Sequence, residues 1–263
     1  MIDMRKIIFI FIISLLYQIN NACAKEKIVL ASDIWCPYIC TPNSDFPGYM
    51  VEMARDIFAE FDIEVEVKIT SWHKALKDAK NGKINGVLGA MKSDAYDFIF
   101  PETHQALDVT KCYIRGDEDW KYKDLTSLDG KKIGLILNYE YPYELSQYVI
   151  KQYRKNPKLF EIATGEEAVD HSVDNLISGK IDVYIENHHV MEMYLANKKH
   201  LEIKEVGTVS TTPEKLYIAF SPKNATSYDY VQFLNRGMAD YKNSGKLLKL
   251  YQKYGIYQDV EKK

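Results

Sequence analysis

The sequence predicts an α/β protein of two lobes, each built around a mostly parallel sheet flanked by helices. Short apolar segments typical of buried strands alternate with amphipathic helical segments over residues 28–90, and the same alternation begins again after Trp120. The chain has 263 residues, which is enough for two small domains. Because such sheets bind ligands at the loops that follow their strands, we expect a binding crevice between the lobes.

The first half of the chain predicts the order strand, helix, strand, helix and strand. Gly48 opens the first helix, whose apolar residues keep the spacing of one buried face as far as Phe61. Asn81 and Gly82 end the second helix. The predicted segments are a strand at residues 28–31, a loop at 32–47, a helix at 48–61, a strand at 65–69, a helix at 72–79 and a strand at 87–90.

The second half repeats this order of segments without repeating the residues. A turn at residues 125–130 precedes it. Strands are predicted at residues 132–137, 160–163 and 181–185, with helices at 143–154 and 166–178 between them. The chain continues with a strand at 216–221 and amphipathic helices at 228–241 and 246–254. This order indicates two lobes of about equal size.

The first 24 residues have the pattern of a secretory signal peptide. A basic start precedes an apolar run at residues 7–17, which is too short to span a bilayer. The small residues Ala22 and Ala24 predict cleavage after residue 24. With this signal peptide removed, we predict a periplasmic protein. The alternative is a lipoprotein anchored through Cys23.

The cysteines predict one disulfide in the exported chain. Outside the cytoplasm, Cys36 and Cys40 are expected to oxidise and to staple the loop around Pro37. A zinc site would need two further ligands at matching spacing, and a catalytic redox pair usually has two intervening residues rather than three. Cys112 is then expected to be a buried free thiol.

Composition restricts the function further. The formal net charge of −3 argues against a nucleic-acid partner held by phosphate contacts. The 20 tyrosines suit a wet binding cleft or reflect only a composition bias. The adjacent His188 and His189 are not expected to bind a metal ion, because neighbouring side chains diverge on a helix or strand. No metal and no cofactor is predicted.

Short motifs follow one another in a fixed order along nearly the whole mature chain. They are WCPY at residues 35–38 with GY at 48–49, ALKDAKNGKING at 75–86, LDGKKIG at 128–134, and LISGKID at 176–182 followed by LYIAFS at 216–221 and SGKL at 244–247. Each motif alone is weak. In this order they resemble the bacterial periplasmic solute-binding proteins of family 3, the amino-acid-type receptors of ABC transporters.

The resemblance implies a periplasmic-binding-protein-like fold of type II, in which two hinge strands join the lobes. Lobe 1 would be discontinuous, with residues 25–113 and 216–263, and lobe 2, with residues 114–215, would be inserted into it. The resemblance also implies a monomer that closes on a small-molecule ligand and docks on the permease of an inner-membrane ABC transporter.

Family positions carry over to this chain residue by residue. Trp35 falls where an aromatic side chain stacks on the ligand, and the expected disulfide would hold its ring and that of Tyr38 over the crevice. Two alternatives stay open, since Trp35 could instead pack on the disulfide and Asp33 could serve the loop or the ligand. The remaining candidates for ligand binding are Trp72, Gly89, Ala90, Lys92 and Asp94 in lobe 1, and Asn138, Tyr139, Glu140, Glu186 and Asn187 in lobe 2.

The chain departs from the amino-acid-binding members at both ends of their ligand. These members have an arginine after the Gly89 loop that grips the α-carboxylate with two prongs. Here the loop contains Lys92 and no arginine. Asn187 stands where they place the aspartate that holds the ammonium group. We therefore expect a small polar or cationic organic solute rather than a standard α-amino acid.

Three functions compete for this fold. The first is a solute receptor that feeds an ABC transporter. The second is a dehydratase-type enzyme on the same scaffold, with Glu140, Glu186 or Asp94 as its general acid. The third is a detached sensory binding module. No nucleophile and base are paired in the sequence, which favours a receptor over an enzyme.

Overall fold

The computed structural model describes residues 25–210 and 212–256. The predicted signal peptide and Cys23, its alternative lipid anchor, lie outside the described residues. The described chain forms two five-stranded sheets, each flanked by helices, which confirms the predicted two-lobed α/β fold. We call each sheet with its helices a lobe. No helix in the described ranges is long and apolar enough to cross a bilayer.

The elements have the following bounds. The strands are β1 (Glu26–Ser32), β2 (Ile63–Ile69), β3 (Gly86–Ala90), β4 (Ala106–Asp108), β5 (Thr110–Arg115), β6 (Ile133–Ile136), β7 (Phe160–Ala163), β8 (Val183–Asn187), β9 (Ile203–Thr208) and β10 (Glu214–Phe220). The helices are α1 (Tyr49–Ala59), α2 (Trp72–Lys80), α3 (Tyr143–Lys155), α4 (Ala168–Ile177), α5 (His188–Asn197), α6 (Ser227–Asn243) and α7 (Lys246–Tyr254). The sequence does not predict β4, β5, β9 or α5.

The two sheets have the same plan. The strand order is β2-β1-β3-β10-β4 in the first sheet and β7-β6-β8-β5-β9 in the second. In each sheet the first three strands of this order run parallel, the fourth runs antiparallel, and the fifth is antiparallel to the fourth. Four strands of each sheet therefore share one direction, as the sequence predicts.

The chain passes between the sheets twice. It leaves the first sheet at Asp108, the end of β4, and enters the second at Thr110, the start of β5. It returns between Thr208, the end of β9, and Glu214, the start of β10. Both passages lie a few residues before the predicted boundaries at 113 and 215. The division of the chain into lobes at those two boundaries remains a prediction.

Helix α1 packs on the first sheet with the face that its sequence predicts. Met50, Met53 and Ile57 are fully buried. Helix α6 packs closely on α1 at Gly237. A Cβ added there would lie only 2.3 Å from Cγ2 of Ile57, so a larger residue would not fit without a shift. The first sheet, α1 and α6 therefore form one closely packed unit.

Candidate functional site

A cavity lies between the two lobes at the ends of four parallel strands. Its wall contains residues that end or follow β1 and β3 in the first lobe and β6 and β8 in the second. The space in it that the centre of a water-sized sphere can reach is about 40 Å³, which is room for about three water molecules.

Five carboxyl groups line this cavity, and no lysine, arginine or histidine lines it among the described residues. Burial raises the pKa of Asp33 and of Glu186 to about 7. It raises the pKa of Asp94 to about 8 and that of Asp108 to about 6. Burial also raises the pKa of Glu140. Burial raises these pKa values because it penalises the charged carboxylate. A cation bound among the groups would have the opposite effect and would favour their ionisation.

Asp33 follows β1 and is almost completely buried. The Tyr139 hydroxyl donates a hydrogen bond to its Oδ2 at 2.6 Å, and the Ser32 hydroxyl lies 3.4 Å from its Oδ1. Tyr139 belongs to the loop after β6, so this bond joins the two lobes. Asp33 lines the cavity and also holds the loop that follows β6, while its contact with a ligand stays a prediction.

Asp94 of the first lobe and Glu140 of the second both line the cavity, and the charge of Glu140 acts on Asp94. The Met91 amide donates a 2.6 Å hydrogen bond to Oδ2 of Asp94. After burial, the charge of Glu140 raises the pKa of Asp94 further, while hydrogen bonds from Met91 and the Trp72 side chain oppose the rise. The Trp72 side chain is largely buried and also lines the cavity.

Glu186 lies at the end of β8 and accepts three hydrogen bonds. Its Oε1 accepts from the Trp35 indole at 3.0 Å and from the Asn187 amide at 2.8 Å. Its Oε2 accepts from the Tyr184 hydroxyl at 2.5 Å. These donors favour the ionised form and oppose the larger effect of burial on the pKa. The carboxylate is therefore held in one orientation beside Trp35.

The side chain of Asn187 is fully engaged in the structure. Its Oδ1 accepts from the Val190 amide at 3.0 Å and so caps the start of α5. Its Nδ2 donates to Oδ1 of Asp108 at 2.6 Å and to the Tyr38 hydroxyl at 3.1 Å. Asn187 lines the cavity, but its polar atoms hold neighbouring groups in place.

The Trp35 ring is fixed by a tight loop. The Trp35 amide donates to the Ile39 carbonyl at 2.7 Å, and a disulfide joins Cys36 to Cys40 within the same loop. The ring stacks on Tyr38 with a centroid distance of 4.6 Å. Trp35 is only 8% exposed, and Gly89 lies beside its ring, where an added Cβ would be 3.8 Å from Cε3. A ligand in the cavity would therefore meet an aromatic surface that does not need to be ordered.

Four of the predicted site residues do not line the cavity. Tyr38 lies behind Trp35 and is fully buried, and Ala90 is buried in the first lobe. Lys92 is exposed and places its ammonium group 5.4 Å from the centre of the Tyr217 ring. Asn138 is exposed, and its Nδ2 lies 2.5 Å from Nδ1 of His73. The other eight line it, namely Trp35, Trp72, Gly89, Asp94, Tyr139, Glu140, Glu186 and Asn187. Their role in ligand binding stays a prediction.

The cavity also contains residues that the sequence does not predict. Asp108 and Thr110 lie at the first passage between the sheets, and the Thr110 hydroxyl donates to Oδ2 of Asp108 at 3.2 Å. Tyr141 lines the wall as well, and its hydroxyl accepts from the Ile136 amide at 2.9 Å. The sequence offered one signal that could have identified Asp108 as a site residue, namely a carboxyl group close to the predicted lobe boundary at residue 113. The remaining unpredicted residues of the wall are Ser32, Leu88, Met91 and Leu216.

The arrangement suits the binding of a positively charged organic group. Carboxyl groups lie around a wall that includes two indole rings and two phenol rings. Aromatic faces attract cations most strongly where water is excluded. An anion would meet several carboxyl groups and no cationic side chain from the described lining.

A family model of the bacterial extracellular solute-binding proteins, family 3, matches residues 28–256. No protein among the curated sequences matches the chain significantly. Many solved structures share its fold. One is a histidine kinase sensor domain with similarity to periplasmic binding proteins, at 17% identity and a TM-score of 0.71, covering 88% of this chain and 96% of that one.

Two further structures are similar over comparable lengths. The arginine-, lysine-, histidine-binding protein ArtJ from Geobacillus stearothermophilus has 14% identity and a TM-score of 0.73, covering 89% of this chain and 97% of its own. A structure from work on glutathione import via GshT and the cystine ABC importer TcyBC of Streptococcus mutans has 18% identity and a TM-score of 0.71, covering 88% and 95%. At these identities the likeness establishes the fold alone.

Proposed function

Because the chain belongs to the bacterial extracellular solute-binding proteins of family 3, we propose that it is an exported receptor for a small organic cation. In this proposal the cation binds in the cavity between the lobes and is delivered to an ABC transporter of the inner membrane. The observation that carries the proposal is the wall of five carboxyl groups, without a lysine, arginine or histidine among the described lining residues.

The aromatic residues of the wall support the same ligand class. Trp35 and Trp72 lie in the first lobe and Tyr139 in the second, so a cation between the lobes would contact rings from both. A desolvated cation over an aromatic face gains about 2 kcal/mol. Glu186 accepts a hydrogen bond from Trp35, and Asp94 accepts one from Trp72. Once ionised by the bound cation, these two groups would supply the opposite charge.

The same wall disfavours an α-amino acid. Its carboxylate needs a cationic or strongly donating partner, and Lys92, the nearest basic residue in the loop after β3, lies over Tyr217 outside the cavity. Asn187, at the position of the ammonium-binding aspartate in relatives, is engaged with Asp108 and the start of α5. A solute with a positive group and no carboxylate fits these contacts better.

Delivery to a transporter rests on the family and on the arrangement of the lobes. Hydrogen bonds already join the lobes beside the cavity, from Tyr139 to Asp33 and from Trp35 to Glu186. A cation between them would add contacts to both lobes and favour the closed form. The disulfide between Cys36 and Cys40 is consistent with an oxidising compartment such as the periplasm. We propose that the closed monomer docks on the permease.

A second candidate is a lyase of the dehydratase type, and the raised pKa of Asp94 favours it. A carboxyl group with a pKa of about 8 keeps its proton at neutral pH, as a general acid requires. A third candidate is a sensory module, for which the likeness to a histidine kinase sensor domain is the supporting observation. Both candidates would use the same cavity.

Native mass spectrometry of protein purified from the periplasm tests the proposal. We expect a bound compound that carries an ammonium, guanidinium or amidinium group and no carboxylate. Calorimetry then compares this compound with its neutral isostere, which should bind far more weakly. If the isostere binds equally well, the ligand class is wrong. If the compound is consumed on incubation, the protein is an enzyme, whereas a receptor returns it unchanged.

A further inference from the structure

Two histidines and a glutamate meet at the start of α5, outside the cavity. One possible ligand atom from each of His188, His189 and Glu192 lies within 4.8 Å of the other two. Adjacent side chains were expected to diverge, but these two imidazole rings lie close together. Their centroids are 5.3 Å apart and their planes meet at 44°. The change from the extended end of β8 to the first turn of α5 brings them to the same side.

One carboxylate oxygen lies between the two rings. Oε2 of Glu192 is 3.7 Å from Nε2 of His188 and 3.6 Å from Nδ1 of His189. Glu192 follows the two histidines by one helical turn, at the spacings i+4 and i+3 that place side chains on one face. Two imidazole nitrogens and one carboxylate oxygen are a donor set typical of divalent transition metals.

The His189 ring has a buried nitrogen that is not satisfied. Its Nδ1 is inaccessible to solvent and makes no hydrogen bond, and the side chain is only 10% exposed. A buried polar atom without a partner destabilises the fold, and nearly all such atoms in proteins have a partner. The atom faces Glu192 at a distance too long for a hydrogen bond. A metal ion between them would use its lone pair.

A second carboxylate supports the orientation of His188. Oε2 of Glu205, on β9, lies 3.4 Å from Nδ1 of His188, the ring nitrogen that does not face Glu192. Metal-binding histidines usually direct their other ring nitrogen to a carboxylate in this way. Glu205 also accepts from the ammonium group of Lys111 at 2.9 Å. Around the two imidazole rings, the cluster therefore contains two carboxylates and one ammonium group.

We propose that His188, His189 and Glu192 form a binding site for a divalent transition metal ion, with Zn²⁺ as the best fit. The ion is held by Nε2 of His188, Nδ1 of His189 and a carboxylate oxygen of Glu192, with water as a further ligand. Movements of the three side chains, of which Glu192 is exposed, would bring the donors to the 2.0–2.2 Å that zinc requires.

The site adjoins the cavity through the backbone. Asn187, which lines the cavity, is the residue before His188 and caps the first turn of α5. A metal ion that joins His188 to Glu192 ties this turn together. Zinc would therefore stabilise the part of the second lobe that carries Glu186 and Asn187, without contacting the solute.

Calorimetric titration of the mature protein with Zn²⁺, after treatment with a chelator, tests the proposal. We expect one ion per chain and weaker binding in Glu192→Gln and His188→Gln. Glu205→Gln should lower the affinity by about 10–100-fold through the support of His188. Glu192 is exposed, so its variant should fold normally. The matched control is His200→Gln, an exposed histidine outside the cluster, which should bind Zn²⁺ as the unmodified protein does.

Two further measurements separate this site from loose binding to surface histidines. Co²⁺ in place of Zn²⁺ should give the visible absorption of a low-coordinate site, and Glu192→Gln should abolish it. Excess Zn²⁺ should raise the melting temperature of the unmodified protein and of His200→Gln, but not that of His188→Gln. The proposal is overturned if Zn²⁺ does not bind, or if it binds His188→Gln and Glu192→Gln with unchanged affinity.

Discussion

The Tyr139 hydroxyl donates a 2.6 Å hydrogen bond to Oδ2 of Asp33 across the boundary between the two lobes. Asp33 follows β1 in the first sheet and Tyr139 follows β6 in the second. The indole of Trp35 makes a similar bond to Glu186, also from the first lobe to the second. These bonds lie inside the proposed binding site. The groups that would contact a solute are therefore the same groups that hold the lobes together.

Replacing Tyr139 with phenylalanine should loosen the contact between the lobes. The variant keeps the ring and loses one hydrogen bond, which contributes about 0.5–1.5 kcal/mol. The closed form should then lose stability relative to the open form by roughly two- to tenfold. Small-angle X-ray scattering should show a larger radius of gyration for the variant.

The control for this measurement is Tyr148→Phe. The Tyr148 hydroxyl donates to Asp129 at 2.9 Å within the second lobe, so its loss should leave the radius of gyration unchanged. An unchanged radius in Tyr139→Phe, under conditions where a known ligand still contracts the protein, would contradict a structural role for this bond in closure.

The buried carboxyl groups make stability depend on pH. The folded-state pKa is about 7 for Asp33 and about 8 for Asp94, against about 3.9 for an unfolded chain. Between about pH 4 and pH 8 the folded protein therefore binds more protons than the unfolded chain, and the free energy of unfolding due to these groups falls as pH rises. Thermal unfolding from pH 5 to pH 8.5 should show this fall.

Asp94→Asn tests the origin of the fall. The amide is neutral at every pH, so the variant does not lose stability through this group as pH rises. The difference in melting temperature between the variant and the unmodified protein should therefore shift by a few degrees in favour of the variant from pH 5 to pH 8. The control is Asp97→Asn, on the same loop, where the carboxylate pairs with Lys80 at the surface. Parallel pH profiles for the unmodified protein and Asp94→Asn would show that Asp94 is not buried as described.

Reduction of the disulfide should destabilise the loop that carries Trp35. Closing so short a loop contributes about 2 kcal/mol in the chain-entropy model. For a protein of this size, that corresponds to a decrease of about 4–8 °C in melting temperature. The unmodified protein should show this decrease on reduction, while Cys36→Ser/Cys40→Ser should start from the lower value and not respond to reductant. A response of the double variant to reductant would assign the effect to another group.

Much of the fold could be predicted from local sequence patterns. The apolar runs of β1, β3 and β8 and the helical spacing in α1 each match a buried surface. Strand β9 could not be predicted, because it lies at the edge of its sheet and is largely exposed, with few apolar residues. Helix α5 could not be predicted either, since it begins directly after β8 without a turn.

The candidate site was predictable to a smaller extent. Residues at the ends of β3 and β8 were found because the family pattern marks these loops, and eight of the predicted residues line the cavity. Asp108 was not found, since its place beside Asn187 depends on strand pairing between segments 79 positions apart. Lys92 was predicted to line the site because sequence position does not tell which side of a loop a long side chain takes.

Comparison of each amino acid with the amine that remains after its decarboxylation gives the most direct test of the ligand class. The two compounds share the side chain and the positive group, and they differ only in the α-carboxylate. In the cavity that carboxylate would lie among five carboxyl groups, with no basic side chain in the described lining. Two like charges 4 Å apart repel by about 4 kcal/mol near a protein surface.

We therefore expect the amine to bind at least about a hundredfold more tightly than its amino acid wherever either one binds, which is a difference of about 2.7 kcal/mol. Calorimetry with pairs such as agmatine and arginine, or tyramine and tyrosine, measures this difference directly. Asp97→Ala serves as a control that should not alter it, because Asp97 lies outside the cavity. Micromolar binding of any standard amino acid would show that the missing arginine and Asn187 do not have the effect inferred here, although the fold would stand.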